Sequence, residues 1–110
     1  MFSNCIKLEE INLNSFETSL IRDMSYMLYN CSSLENVNLL SFDTSTVTKM
    51  DYMFGYSGIK NLNLTSFNTL NAKSFKGIFE ECRGLELALI EKNCKNIIPD
   101  IPEYVNLTIL

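Results

Sequence analysis

Histidine is absent from the 110 residues, and so is tryptophan. Without histidine the chain lacks both the commonest general acid–base group and the commonest metal ligand. It is therefore expected to be no enzyme and to carry no cofactor or metal. Lysine and arginine together number nine and never form a run, against thirteen acidic residues, for a net charge of −4. That balance does not build a surface for nucleic-acid phosphates, so no nucleic-acid partner is expected. No stretch approaches the roughly 18 consecutive apolar residues of a membrane span. The opening Met1-Phe2-Ser3-Asn4-Cys5 has no basic segment leading into an apolar one, so neither a signal peptide nor membrane insertion by this segment is expected.

What remains is a packable composition, 46% hydrophobic and 20% charged, sized for one compact domain or a few turns of a repeat array. Asparagine contributes 13 residues, but they are spaced among aliphatics instead of forming the runs of a disordered tract. The chain is also self-similar. Cys5, Leu8, Ile11, Leu13, Phe16, Thr18 and Met24 recur 26 positions later as Cys31, Leu34, Val37, Leu39, Phe42, Thr44 and Met50, and Met1 recurs as Met27. A third copy loses one residue within Gly55-Tyr56-Ser57-Gly58, where a turn tolerates it, and continues as Ile59, Leu62, Leu64, Phe67 and Thr69. A fourth opens with Ile78-Phe79, Cys82 and Leu85, then drifts.

Within a unit, Leu34-Glu35-Asn36-Val37-Asn38-Leu39 ends in the alternation of a short strand. The expected inward set is Leu8, Ile11, Leu13, Leu34, Val37, Leu39, Ile59, Leu62 and Leu64. Val47, Met50, Met53 and Phe54 fall on one face of a short helix that Ser45 or Thr48 would cap. A strand and about two helical turns cannot bury an apolar face alone, so neighbouring units are expected to share a core — hence Val47, which opens that helix face, is expected to be buried with them.

The pattern Met-Phe-x-x-Cys-x-x-Leu-x-x-Leu-x-Leu-x-Ser-Phe-Asp-Thr-Ser-x-Val-x-x-Met-x-x-Met runs through residues 27–53 almost without departure. Residues 1–27 carry it with Glu17 in place of the usual Asp, and Leu28 stands in place of the usual Phe where the next copy opens. It resembles the BspA-type leucine-rich repeat of surface proteins. The resemblance covers about residues 1–86, some three and a half units, and implies an α/β leucine-rich-repeat solenoid with stacked parallel strands and one short helix per repeat. It also implies adhesion or recognition at the cell surface. Residues 87–110, with Ile101-Pro102 and Asn106-Leu107-Thr108-Ile109-Leu110, look like a divergent leucine-rich repeat or the start of another subtype. Both ends are abrupt, so the chain is expected to be a fragment of a longer one, with any signal peptide or anchor outside it.

The outward strand positions set Glu10, Asn36 and Asn61 in one column and Asn12, Asn38 and Asn63 in the next. Amides offer both donors and acceptors, so Asn12, Asn36, Asn38, Asn61 and Asn63 are the candidate residues for binding a protein or a glycan. The same amides could instead hydrogen-bond one another and only solvate the sheet. Leu87 and Leu89 interrupt the band, either as an apolar patch or, the preferred reading, because the register slips by one residue there. The loop columns Glu17/Asp43/Asn68 and Thr18/Thr44/Thr69 lack a glycine-rich calcium repeat, and turn stabilisation is their expected role.

The cysteines, at 5, 31, 82 and 94, form no Cys-x-x-Cys pair. All four are expected to be free thiols, Cys5, Cys31 and Cys82 in one inward column and Cys94 without an equivalent in another unit, although Cys5 and Cys31 fall within disulfide reach. Three sequons, at Asn30, Asn63 and Asn106, are about what chance supplies in a chain this rich in asparagine. The expected function is a non-catalytic protein- or glycan-recognition module, extracellular or at the cell surface. An intracellular interaction scaffold and a structural spacer are the alternatives.

Overall fold

Alternation of apolar and polar residues produces regular strands only in the second half of the chain. In the computed structural model, which describes residues 2–110, these are β1 (Asn61–Asn63), β2 (Leu87–Ile90) and β3 (Asn106–Ile109). They pair in parallel in the order β1-β2-β3. The register sets Asn61, Leu87 and Asn106 in one outward row and Asn63, Leu89 and Thr108 in the next. Successive strand side chains alternate faces, so Leu62, Ala88 and Ile90 enter the core.

Between β2 and β3 lies a 3-10 helix, Lys92–Asp100. Its three-residue period puts Cys94 and Ile97 on the same side, and both are buried. Pro99 has no N–H to extend the hydrogen-bond series. The chain leaves the helix at Ile101, whose N–H donates to the Ile98 carbonyl.

The expected α/β leucine-rich solenoid, with a strand and a helix in every unit, is not what forms. The described residues contain no α-helix, and the segments expected to form strands in the first two units carry no ladder. Residues 25–30, 51–56 and 76–81 are successions of turns. The reason lies in where the backbone donors go. The N–H groups of Tyr26, Leu28 and Asn30 donate to the carbonyls of Asp51, Met53 and Gly55, and those of Tyr52, Phe54 and Tyr56 to Lys76, Ile78 and Glu80. Between them, Met27, Tyr29, Met53 and Gly55 close local turns onto the third residue back.

An α-helix needs those donors for its own i−4 carbonyls. It also excludes the left-handed conformation found at Tyr26 (φ 60°), Asn30 (59°), Tyr52 (54°) and Tyr56 (56°). Ser45 and Thr48 therefore cap no helix. The Ser45 N–H and hydroxyl both go to Asp43 Oδ1, and the Thr48 hydroxyl donates to the Arg22 carbonyl.

The result is a small compact body with one open three-stranded sheet and one short helix, 31 × 30 × 22 Å. Its accessible surface of 6137 Å² is close to the roughly 6,200 Å² expected of a compact monomer of this mass. The expectations that rest on Met1, the opening methionine of the first copy and a place in the last turn of a helix, lie outside the described residues.

The core runs between the sheet and the turns. Leu13, Leu34, Leu39, Ile59, Leu62 and Leu64 are buried, whereas Leu8, Ile11 and Val37 are half-buried and pack against its edge. Val47, Met50, Met53 and Phe54 are buried even though no helix carries them. Phenylalanine rings stack through the core, Phe42 on Phe67 at 6.2 Å and Phe54 on Phe79 at 5.8 Å between centroids.

Thr18, Thr44 and Thr69 are buried polar residues with paired hydroxyls. The Thr44 hydroxyl donates to the Asn68 carbonyl at 2.9 Å and accepts the Asn68 N–H at 2.8 Å, and Thr18 treats Asp43 in the same way. Such reciprocal bonds satisfy backbone groups that burial would otherwise leave unpaired.

Candidate functional site

The outer face of the sheet, continued by residues 9–14 and 35–40, is the broadest surface that the sequence singles out. Asn12, Asn36, Asn38 and Asn61 are exposed on it and Asn63 is half-buried. The structure divides these amides by role. Asn12 Oδ1 accepts the Asn14 N–H, Asn38 Oδ1 accepts the Leu40 N–H, and Asn63 Oδ1 accepts the N–H and hydroxyl of Thr65. Each closes the turn that ends its own segment, a favoured use of asparagine. Asn36 and Asn61 are not engaged in this way and line an open trough of about 540 Å³ with Glu10, Ile11 and Val37.

Leu87 and Leu89 occupy the positions of Asn61 and Asn63 in the next strand, because β2 pairs with β1 without any shift. The expected one-residue slip does not occur. The apolar side chains face outward, Leu87 with 44% of its surface exposed. With Val37 and Leu62 they line a furrow of about 190 Å³, edged by Asn61, Asn63, Asn106 and Thr108. Parallel pairing holds this register because Ala88 and Ile90 are fully buried; a slip would exchange them with Leu87 and Leu89 and empty the core.

The rim toward the start of the strands is charged. Glu9, Glu10, Glu35 and Glu86 are exposed there, and Lys60 Nζ lies 3.5 Å from Glu35 Oε1. Amides, aliphatic side chains and a carboxylate rim thus lie side by side on this face.

The thiols lie elsewhere. Cys31, Cys82 and Cys94 are buried, Cys5 is half-buried, and all four are free. The Sγ atoms of Cys31, Cys82 and Cys94 donate to the carbonyls of Phe2, Phe54 and Phe67. Burial raises all three thiols above their ordinary pKa, so they are held as the unreactive protonated form. Among the described residues no three His, Cys, Asp or Glu side chains converge as a metal site, and no helix is long and apolar enough to cross a membrane.

A cluster that sequence reasoning missed sits on the turns. Tyr26, Tyr29, Tyr52 and Tyr56 pack with ring centroids 5.1 to 6.1 Å apart. The signal was available: Tyr26 and Tyr52 are one 26-residue period apart, as the apolar columns are.

No curated protein and no solved structure matches the chain. The expectation of a BspA-like leucine-rich-repeat surface protein with an adhesive role is replaced by a family match that brings no leucine-rich-repeat or adhesion evidence with it. The family model matches residues 1–101, and the chain belongs to that family, described as Mycoplasma protein of unknown function, DUF285.

Proposed function

We propose that the chain is a non-catalytic recognition module that binds a protein partner through the outer face of its sheet. The observation that carries this reading is the outward register of Leu87 and Leu89 among amides. A polar, solvating surface has no need of two leucines at positions that Asn61 and Asn63 fill one strand earlier. An apolar centre within a polar rim is the usual anatomy of a protein interface. No aromatic ring lies among the residues lining the furrow, which favours a protein over stacked sugar rings.

The spacer reading draws its support from Asn12, Asn38 and Asn63, whose oxygens serve their own turns. The two readings separate with Leu87→Asn/Leu89→Asn, which extends the chain's own amide rows and leaves the core intact. Immobilised wild type and variant are tested against extracellular-matrix proteins and a glycan array. Recognition predicts a protein ligand that the variant binds at least about tenfold more weakly, with an unchanged melting temperature. Equal retention of that ligand by both proteins would remove the furrow from the site.

A further inference from the structure

The four-tyrosine cluster is separate from the sheet face. The chain has five tyrosines, and four of them are here. Tyr26 stacks on Tyr52, with centroids 5.3 Å apart and planes inclined by 16°, and Tyr29 meets Tyr26, Tyr52 and Tyr56 edge-on. Glycines seat two of the rings. A Cβ on Gly77 would fall 2.4 Å from Tyr52 Cε1, and one on Gly55 3.2 Å from Tyr29 Cδ1. Tyr26 and Tyr56 stand furthest out, 44% and 43% exposed.

Three of these tyrosines adopt positive φ, a conformation that bulky side chains rarely take. The chain itself shows cheaper solutions at the matching positions. Gly77 (φ 63°) stands where Tyr52 and Tyr26 stand one and two periods earlier, and Asn30 (φ 59°) where Tyr56 stands one period later. Glycine and asparagine take this conformation more readily, so aromatic rings are kept where the backbone does not ask for them.

Charge marks the edge of the cluster. The Tyr56 N–H donates to the Glu80 carbonyl at 2.7 Å, which sets Glu80 beside Tyr56, and partial burial, the Tyr29 phenol and the Glu80 and Glu81 carboxylates raise the Tyr56 phenol above its ordinary pKa. Glu81 is paired with Arg83, whereas among the described residues Glu80 has no ion-pair partner. Tyrosines supply rigid amphipathic contact area, and their faces attract cations.

We propose that Tyr26, Tyr29, Tyr52 and Tyr56, with Glu80 at their edge, form a second docking surface that takes a basic segment of a protein, an arginine or lysine side chain lying against the exposed rings beside the Glu80 carboxylate. The proposal is independent of the sheet face.

The test titrates the whole chain with an arginine-rich peptide, its lysine and glutamate counterparts and a neutral oligosaccharide, all free of aromatic residues. Because the chain has no tryptophan, its tyrosine emission reports contact directly. The variant Tyr26→Gly/Tyr56→Asn takes its replacements from the chain's own matching positions, which protects the fold. The expected result is saturable binding of the basic peptides to wild type, about tenfold weaker for the double variant and several-fold weaker for Glu80→Gln. The variants should keep their melting temperature. Four results would overturn the proposal: no binding of either basic peptide, equal binding by the variants, preference for the glutamate peptide or the saccharide, or a loss of about 10 °C or more in the double variant. The last would make the cluster a packing device.

Discussion

Gly58 and Gly84 lie 26 residues apart at matching places, yet alanine should act on them in opposite directions. A Cβ built on Gly58 falls 2.3 Å from the Ser32 carbonyl oxygen, 3.0 Å from its carbon and 3.3 Å from the Leu34 oxygen. All three are backbone atoms, so no side-chain rotation relieves the clash and the two segments must part by about 1 Å to reach ordinary contact. Overpacking of this kind costs about 1–3 kcal/mol. The Gly58 N–H donates to the Cys31 carbonyl at 3.1 Å, and straining that bond adds about 1 kcal/mol. Against this, alanine restricts the unfolded chain, a gain of about 0.4–1 kcal/mol. The net destabilisation of Gly58→Ala is about 2–3 kcal/mol, which for a chain of this length lowers Tm by about 9–13 °C. At Gly84 the nearest atom to a new Cβ is the Gly58 oxygen, at an ordinary 3.7 Å. The unfolded-state gain then stands alone, and Gly84→Ala should raise Tm by about 2–4 °C. Thermal unfolding of both variants, followed by far-ultraviolet circular dichroism, checks the pair. Melting temperatures within about 3 °C of each other would refute the close approach at Ser32.

Thr44→Val leaves the buried N–H and carbonyl of Asn68 without their partner and should cost about 2–4 kcal/mol in urea unfolding. Thr46→Val, on the exposed side, should cost under about 1 kcal/mol, and equal losses would count against the buried pairing. The raised thiols give a pH dependence with a definite sign. Free thiols in the unfolded chain ionise near pH ~8.5 while Cys31, Cys82 and Cys94 stay protonated in the fold, so stability is constant below that pH and falls as pH rises through the folded values. Cys82→Ala should flatten the decline, and a urea midpoint that holds or rises up to pH ~10 would contradict the burial. At the acid end, the Ser25 and Ser45 hydroxyl and N–H groups hold the Asp23 and Asp43 carboxyls below their ordinary pKa. Stability contributed by these turns is present above the ordinary carboxylate range and lost as pH falls through the lowered values; Ser45→Ala should shrink that acid slope, visible in unfolding midpoints taken from pH ~5 to ~2.

Periodicity in the sequence located Leu13, Leu34, Leu39, Leu62 and Leu64 in the core and placed the amides outward, because inward and outward columns need only the alternation of side chains. It failed over residues 47–54. Val47, Met50, Met53 and Phe54 have helical spacing, but turns through Tyr52 and Tyr56 bury the same four side chains. Left-handed tyrosines give no warning, since glycine and asparagine are the residues that signal that conformation. At Leu87 and Leu89 the change of repeat subtype that begins there argued for a slipped register. The structure keeps the register because Ala88 and Ile90, the residues a slip would expel, bind it more strongly to the core. The roles of Asn12, Asn38 and Asn63 were hidden for another reason: a side chain that closes its own turn and one that awaits a partner look alike in sequence.

The hydrogen bonds that replace helices, from Asn4 to Tyr29, Tyr26 to Asp51 and Tyr52 to Lys76, have a kinetic consequence. Each closes a loop of about 25 residues before any of its enthalpy is gained, and no rapidly formed helix bridges the interval. Loops of that span in a chain of this length correspond to a relative contact order of about 0.2, in the range of all-β barrels and sandwiches. Refolding should therefore be slow for so small a protein, on the order of milliseconds to seconds, with an initiation step set by loop closure between neighbouring turns.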